Sequence, residues 1–273
     1  MPVDPPVLAV LAELIVCPVC HASLDGVTCA GCSNVYAIDD GVPNLTPIPP
    51  PEERVRARWA PWEELQANGT EAYEIDPPSS LSVGRRPDAE AFATFCDLRG
   101  LVLDIGCGVQ GLPTYGSGLG AAFVGIDPLR GEPNREFAFV QAIAEFLPFR
   151  DETFDRVLFA TSIDHVLVPE LAVAEATRVT RPGGWVCVWL GEVPAPGLVE
   201  RVRRRTRLSR RVRVRTPRAE MTFRVPAGAV DPFHVSHPDA ATVAGWLEGA
   251  GLAVHAIERP LPGHCFVRAG RKG

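Results

Sequence analysis

Three sets of residues in this chain have the types and spacing that chemistry requires. The first lies between Leu101 and Asp127. An apolar run is broken only by Asp104, Gly106, Gly108 and Gly111 follow in the spacing G-x-G-x-x-G, and a second apolar run ends at Asp127. Glycines let a backbone pass close to a ligand where a Cβ would collide. An acid closing the second strand can accept two hydrogen bonds from a ribose diol. Together these describe a nucleotide site on a parallel sheet. Asp104, inside the first strand, suits a pyrophosphate poorly and suits a ligand with an amino group and a sulfonium well. The second set is Cys17-Pro-Val-Cys20 and Cys29-Ala-Gly-Cys32, two C-x-x-C pairs eight residues apart. Two facing pairs complete a tetrahedral thiolate site that suits zinc; a redox pair or a disulfide is the other use of such thiols. The third set is Asp164 and His165, just past an apolar run, with His234 and His237 further on. Imidazole has the pKa to take a proton near neutrality, although histidines at such positions also cap helices or pack beneath them.

Holding these residues in place requires strands that end where they stand. Leu101–Ile105, Ala121–Ile126, Phe137–Gln141, Phe154–Ala160 and Trp185–Leu190 read as buried strands. Leu171–Thr180 reads as a helix, and Arg181-Pro-Gly-Gly184 as the turn after it. Asp239–Gly249 is an amphipathic helix, with Ala253–Glu258 and Cys265–Ala269 the last strands. This is a doubly wound, mostly parallel seven-stranded α/β sheet. Upstream, Val55, Trp59, Trp62 and Leu65 share a helical stripe within 52–68, and Asp88–Asp97 is a short helix feeding the first strand. The stretch TPIPPP is a semi-rigid linker. Arg85 and Arg86, in the loop before the second helix, could reach a carboxylate. Near the cysteines, Asp25–Gly26 and Asp39-Asp40-Gly41 supply turns. The expected division is 1–48 as a small metal module, 49–100 as linker and helices over the ligand, and 101–273 as the main domain, with an arginine-rich insertion at 191–238.

LVLDIGCGVQG followed by VGID resembles the first two motifs of the Rossmann-like (class I) methyltransferases that use S-adenosyl-L-methionine. EFLPFRD with FDRVLFATSIDHV looks like their third and fourth motifs, and RPGGWVCVWL like their fifth strand, so that Leu101 to Leu190 is densely covered. The resemblance implies a cofactor held by Asp104, Gly106, Cys107, Gly108, Gly111, Asp127, Pro128, Ala144, Glu145 and Thr161. Asp127 would hold the ribose, and Asp104 would sit near the methionine amino end. In one place the chain departs from the pattern. Where relatives often carry an acid for the adenine amino group it has Ile143, which leaves adenine to backbone near Ala144 and to apolar contact. The segment LIVCPVCHASL through CSNVYAIDDGVPNL resembles small zinc-ribbon proteins that activate partner methyltransferases. That implies a structural zinc on Cys17, Cys20, Cys29 and Cys32, with no open coordination position for catalysis.

The chain has 273 residues, a net charge of −6 and eight cysteines. Cys96, Cys107, Cys187 and Cys265, outside the paired set, read as ordinary buried thiols. No run approaches the ~18 apolar residues of a membrane span, and the first residues lack the marks of a signal peptide, so a cytoplasmic location is expected. Residues 201–218 hold ten arginines and no acid, leaving 17 basic against 33 acidic residues elsewhere. Such an arm either recognises an anionic partner or is solvated and pairs with the acidic remainder. Arg211–Arg215 alternates like a strand, while Leu208 with Val212 hints at helix. The expected activity is methylation of a hydroxyl on a small molecule, sugar or glycan bearing anionic groups, with His165 as base, Asp164 orienting it, and His237 and His234 in reserve. The alternative is an RNA base methyltransferase using the zinc ribbon and arginines. Against it, the chain has no N/D-P-P-Y type sequence, no Pro-Cys nucleophile and few aromatics interleaved with the arginines. A cofactor-binding scaffold without activity is a third reading, which the intact glycine motif and both acids oppose.

Overall fold

Four runs that are apolar on both faces form the middle of the sheet: β5 (Leu101–Ile105), β6 (Ala122–Asp127), β7 (Ala138–Gln141) and β8 (Phe154–Ala160). A computed structural model describes residues 13–75, 86–109, 111, 113–116, 122–131, 135, 137–192, 209–216 and 220–271. Strands buried on both faces must be covered by helices on both sides. Leu103 and Ile105 of β5 pack with α4 (Pro169–Val179) and α5 (Ala240–Gly249) in one hydrophobic cluster. Val102, one residue out of phase, packs with Phe92 and Phe95 of α3 (Pro87–Cys96) in the other. Asp239 caps α5, accepting a hydrogen bond from Thr242 N–H.

The sheet differs from the expected seven strands. Among the described residues it has nine, in the order β12 (Ala253–Glu258), β13 (His264–Gly270), β9 (Thr180–Gly191), β8, β5, β6, β7, β4 (Val42–Asn44) and β3 (Ala37–Asp39). The pairings from β4 through β9 are parallel, and those of β13 (His264–Gly270), β12 (Ala253–Glu258) and β3 are antiparallel. The two extra strands are β3 (Ala37–Asp39) and β4 (Val42–Asn44) from the cysteine-bearing segment. Asp40 and Gly41 both have positive φ, the two-residue hairpin turn expected from Asp-Gly. Asn44 pairs with Gln141, and Leu45 N–H donates to Gln141 O. Ile15 bridges Phe149, and Val16 N–H donates to Pro148 O. The N-terminal segment is therefore built onto the edge of the main sheet. Its other hairpin, β1 (Leu24–Asp25) with β2 (Thr28–Cys29), turns through Gly26 and Val27, one residue on from the expected Asp25–Gly26.

Two further differences have local causes. Strand β9 (Thr180–Gly191) starts before the expected turn: Thr180 already pairs with Phe154, and the ladder resumes at Trp185 with Arg156. The Arg-Pro-Gly-Gly turn is thus looped out of a continuing strand, with Gly183 at φ +75°. The expected helix over 52–68 is two helices, α1 (Glu53–Arg56) and α2 (Trp59–Ile75), and Pro61 falls in the first turn of α2, where its missing N–H has no helical partner to lose. The arginine arm resolves as strand: β10 (Arg210–Arg215) pairs with β11 (Glu220–Val225) in a separate hairpin. Cys96, Cys107, Cys187 and Cys265 are buried free thiols, as expected. No helix among the described residues is long and apolar enough to cross a membrane.

Candidate functional site

A cavity of about 590 Å³ lies beyond the carboxyl ends of β5, β6 and β8, where open α/β sheets bind ligands. Its sheet side is formed by Gly106, Gly108, Asp127, Pro128 and Thr161. Trp62, Leu65 and Tyr73 of α2, and Val214 and Met221 of the β10–β11 hairpin, line it as well. Helix α2 is tied down by side-chain hydrogen bonds: Trp62 Nε1 donates to His165 O at 2.9 Å, and Asn68 Nδ2 to Arg224 O and Pro232 O at 2.8 and 2.9 Å.

The glycine turn has the geometry that its sequence requires. Gly106 and Gly108 have φ +78° and +81°, a region that costs a residue bearing a Cβ about 1–2 kcal/mol. A Cβ on Gly106 would lie 2.5 Å from Ser162 Cβ, whereas one on Gly108 would have nothing within 4 Å. Gly106→Ala should therefore lose about 2–4 kcal/mol of stability, adding overpacking to strain, and Gly108→Ala about 1–2 kcal/mol. Denaturant unfolding of the two variants checks the order; equal losses would remove the steric argument.

Asp127 accepts Gly108 N–H on Oδ2 and Leu129 N–H on Oδ1, both at 2.8 Å, and still lines the cavity. Burial raises its pKa to about 6 despite these bonds. Asp104 is placed differently from the expectation. It is 1% exposed and does not line the cavity. Tyr115, in the short turn after the glycines, covers it and donates to its Oδ2 at 2.6 Å. Burial pushes Asp104 up to about 7, and its Oδ1 is buried without a hydrogen-bond partner. Gly111 is also absent from the cavity lining. Cys107, Pro128, Ala144, Glu145 and Thr161 do line it, but the Glu145 carboxylate is occupied, accepting Leu167 N–H and Val168 N–H at the start of α4. Ile143 is buried with Val55, Trp62 and Leu167, the apolar surrounding expected at that position. Thr161 holds φ +59°, a strained value for a non-glycine at the mouth of a site.

Across the cavity the structure gathers Asp164, His165, His234 and His237, all of which line it. Val235 N–H and Ser236 N–H both donate to Asp164 O, fastening the loop after β11 to the loop after β8. His165 Nδ1 is 3.0 Å from Phe233 O. A carbonyl only accepts, so Nδ1 carries the proton and Nε2 the lone pair. Burial lowers the His165 pKa, against the opposing pull of Asp164. Burial acts against charge on His234 too, but Asp231 and then Asp164 outweigh it and hold the pKa above the usual value. Asp231, which opens the stretch Asp231-Pro-Phe-His234-Val-Ser-His237 but had no role assigned from the sequence, organises the cluster. Its carboxylate is 2.8 Å from His234 Nδ1 and 2.9 Å from His237 Nε2. Tyr73, Tyr115 and His264 were likewise missed. A His at every third position after Asp231 was the only available signal for this cluster.

The described arginines of the arm do not line the cavity. Arg211, Arg213 and Arg215 alternate with Val212 and Val214 and are exposed, and Arg213 and Arg215 pair with Glu220. Arg210 donates to Val230 O. The described part of the arm presents Val214 and Met221 to the cavity, with its arginines facing away, which is the solvated one of the two readings for those residues. Arg201, Arg203, Arg204, Arg205, Arg207 and Arg218, with Leu198, Val202 and Leu208, lie outside the described residues, as does Arg85. Arg86 lines the cavity and pairs with Asp88.

At the N-terminal segment one donor atom from each of Cys17, Cys20, Cys29 and Cys32 lies within 4.8 Å of the others. Cys17 and Cys32 sulfurs are 3.6 Å apart, and Cys20 and Cys29 sulfurs 3.4 Å. Four thiolates at about 2.3 Å from a tetrahedral ion stand at comparable separations. Gly31 and Cys32 N–H groups donate to Cys29 Sγ, and Val19 N–H to Cys17 Sγ. Burial alone would raise the Cys29 pKa, but these bonds and the Cys20 thiol outweigh it and bring it to about 6. The residues fit a four-thiolate metal.

A family model described as a methyltransferase domain matches residues 103–188, which run from β5 into β9. A ubiquinone/menaquinone biosynthesis C-methyltransferase of Teredinibacter turnerae is 32% identical over 118 residues, 42% of this chain and 45% of that protein. The chain spans about half the length of the curated relatives it matches. The PH0226 protein from Pyrococcus horikoshii has the same fold, with a TM-score of 0.53 and 19% identity over 74% of this chain and 99% of that one. So has the Burkholderia thailandensis 1,6-didemethyltoxoflavin-N1-methyltransferase, solved with 1,6-didemethyltoxoflavin and S-adenosylhomocysteine bound, with a TM-score of 0.52 and 14% identity over 87% and 98%. At those identities the likeness is one of fold. The domain match over residues 103–188 and the curated relatives are those of methyltransferases.

Proposed function

We propose that this chain transfers a methyl group from S-adenosylmethionine to a hydroxyl of a small molecule held in the cavity. The observation that carries the reading is the pairing of Asp127, at the cavity, with the orphaned buried Oδ1 of Asp104 behind a glycine turn at positive φ. A buried acceptor without a donor is costly, and a cationic amino group would satisfy it once Tyr115 turns aside. The cofactor supplies an already activated methyl group; the protein holds the acceptor in line and receives its proton. Asp127 holds the ribose, and backbone near Ala144 with Ile143 borders the adenine. His165, with its Nε2 lone pair, takes the proton, and Asp164 orients it. The apolar lining by Val214, Met221 and Phe233 suits an acceptor with an apolar body, so a requirement for anionic groups is not part of this proposal. No observation among the described residues favours an RNA acceptor. The test is calorimetry with S-adenosylhomocysteine, followed by labelled cofactor incubated with metabolite, nucleotide-sugar and RNA fractions. Methyl label in a metabolite fraction is expected. Failure to bind S-adenosylhomocysteine would remove the reading, and label in RNA alone would replace it.

We further propose one structural zinc on Cys17, Cys20, Cys29 and Cys32. The segment's own strands are only two or three residues long, and metal binding would add to the stability that it gains at the sheet edge. Cys20→Ser should lose the metal and loosen residues up to β4 while the cavity still binds S-adenosylhomocysteine. Elemental analysis and limited proteolysis read both effects; a purified chain without metal under reducing conditions contradicts the assignment.

A further inference from the structure

The wall opposite the glycine turn is also arranged as a set of ligands. We propose that Asp164, His165 and His234 bind a divalent first-row transition ion, at a site separate from the four cysteines, and that the ion competes with the transferred proton for His165 Nε2.

The argument begins with tautomers. Phe233 O takes the Nδ1 proton of His165, and the Asp231 carboxylate takes that of His234. In the neutral form of each ring Nε2 is therefore the nitrogen that carries the lone pair, and on His234 an ion would have to displace the proton that Asp231 and Asp164 favour. A histidine whose far nitrogen donates to a carbonyl or a carboxylate is the usual outer support of a metal ligand. Asp231 is itself held, accepting Phe233 N–H at 2.8 Å and His234 N–H at 2.9 Å, with His237 Nε2 at 2.9 Å.

The inner distances are those of an ion-sized gap. His165 Nε2 is 3.8 Å from Asp164 Oδ1, and His234 Nε2 is 3.6 Å from Asp164 Oδ2. Both exceed hydrogen-bond range. Asp164 Oδ1 is buried with no hydrogen-bond partner, the state of an acceptor waiting for a cation. Donor atoms of the three residues lie within 4.8 Å of one another. Ligands about 2.0–2.2 Å from a common ion are separated by roughly 3–3.5 Å, so only a small contraction is needed. Asp231, His234 and His237 form a second triad, but its nitrogens and oxygens already stand at 2.8 and 2.9 Å, where hydrogen bonds fill the space. Two imidazoles and one carboxylate select zinc, cobalt, iron or manganese over magnesium and calcium. All three ligands line the cavity, so the ion keeps positions open towards it.

The binding claim stands on this geometry; the competition rests on the methyl-transfer reading. The test begins with protein whose cysteine-bound metal has been counted by elemental analysis. Calorimetry with zinc, and visible spectra with cobalt, should show one further ion per chain. Asp164→Asn and His234→Gln should each weaken it at least tenfold, and Asp231→Asn by about 10–100-fold, with S-adenosylhomocysteine affinity preserved as the check on folding. Single-turnover methyl transfer should fall with the same zinc midpoint as binding. No further ion, or an ion indifferent to both ligand variants, overturns the site. An ion that binds as described but speeds methyl transfer leaves the site standing and overturns the competition, together with the choice of His165 as base.

Discussion

His165→Ala slows single-turnover methyl transfer by about 10²–10⁴-fold, the usual contribution of a positioned general base, and leaves S-adenosylhomocysteine binding in place. The expectation follows from three features. Nδ1 is committed to Phe233 O, so the free lone pair is on Nε2. The residue lines the cavity just past β8, where the acceptor must stand. Burial lowers its pKa below the usual histidine value, so the imidazole is neutral at pH 7 and ready to accept. The sign of the pH profile follows. The competent form is the neutral one, so the rate is flat above neutrality and falls as pH drops through a pKa below about 6.5. Asp231→Asn acts differently, because it removes the partner that holds His234 above its usual pKa. It should alter the acid limb of the profile more than the plateau. Wild-type turnover in His165→Ala with a dead His237→Ala would move the base to the loop after β11.

Asp127→Ala lowers S-adenosylhomocysteine affinity by roughly tenfold to a hundredfold, the loss of about 1.5–3 kcal/mol expected for a charged hydrogen-bond partner. The wild type gives an independent check through pH. Burial raises Asp127 to about 6 and Asp104 to about 7 in the empty protein. A raised carboxyl pKa means that ionisation costs the empty fold stability as pH rises through these values. A cationic ligand beside the carboxylates repays that cost. Affinity should therefore rise with pH across about 6 to 7 and level off above. Calorimetry over that range shows it; a flat profile together with an unaffected Asp127→Ala would dissociate both acids from the cofactor.

The glycine turn and the strands around it were legible because their signals are local. Gly106, Gly108 and Asp127 act within one strand–turn–strand unit, and β8 begins and ends where its apolar run does. What stayed hidden depends on contacts between distant residues. Tyr115 covers Asp104 through a turn that no periodicity announces. Glu145 reads as a motif acid, yet its carboxylate is occupied by N–H groups at 167 and 168. Asp231 matters only because Asp164 O receives the loop beside it. In the described part of the arginine run the chain alternates Arg with Val, and Val214 rather than an arginine meets the cavity, a placement that charge in the sequence could not announce.

The pairing of β4 with β7 has a consequence for the rest of the sheet. Without the N-terminal hairpin, β7 would be an outermost, largely apolar strand with unpaired N–H and C=O groups of the kind that recruit another chain. The hairpin replaces that edge with β3, three residues long, exposed throughout, ending in Asp39 and followed by Asp40. Short charged borders of this sort discourage strand addition. The cysteine segment thus covers the edge of the main sheet, and if the proposed zinc holds that segment, Cys20→Ser should show self-association during refolding, read by light scattering.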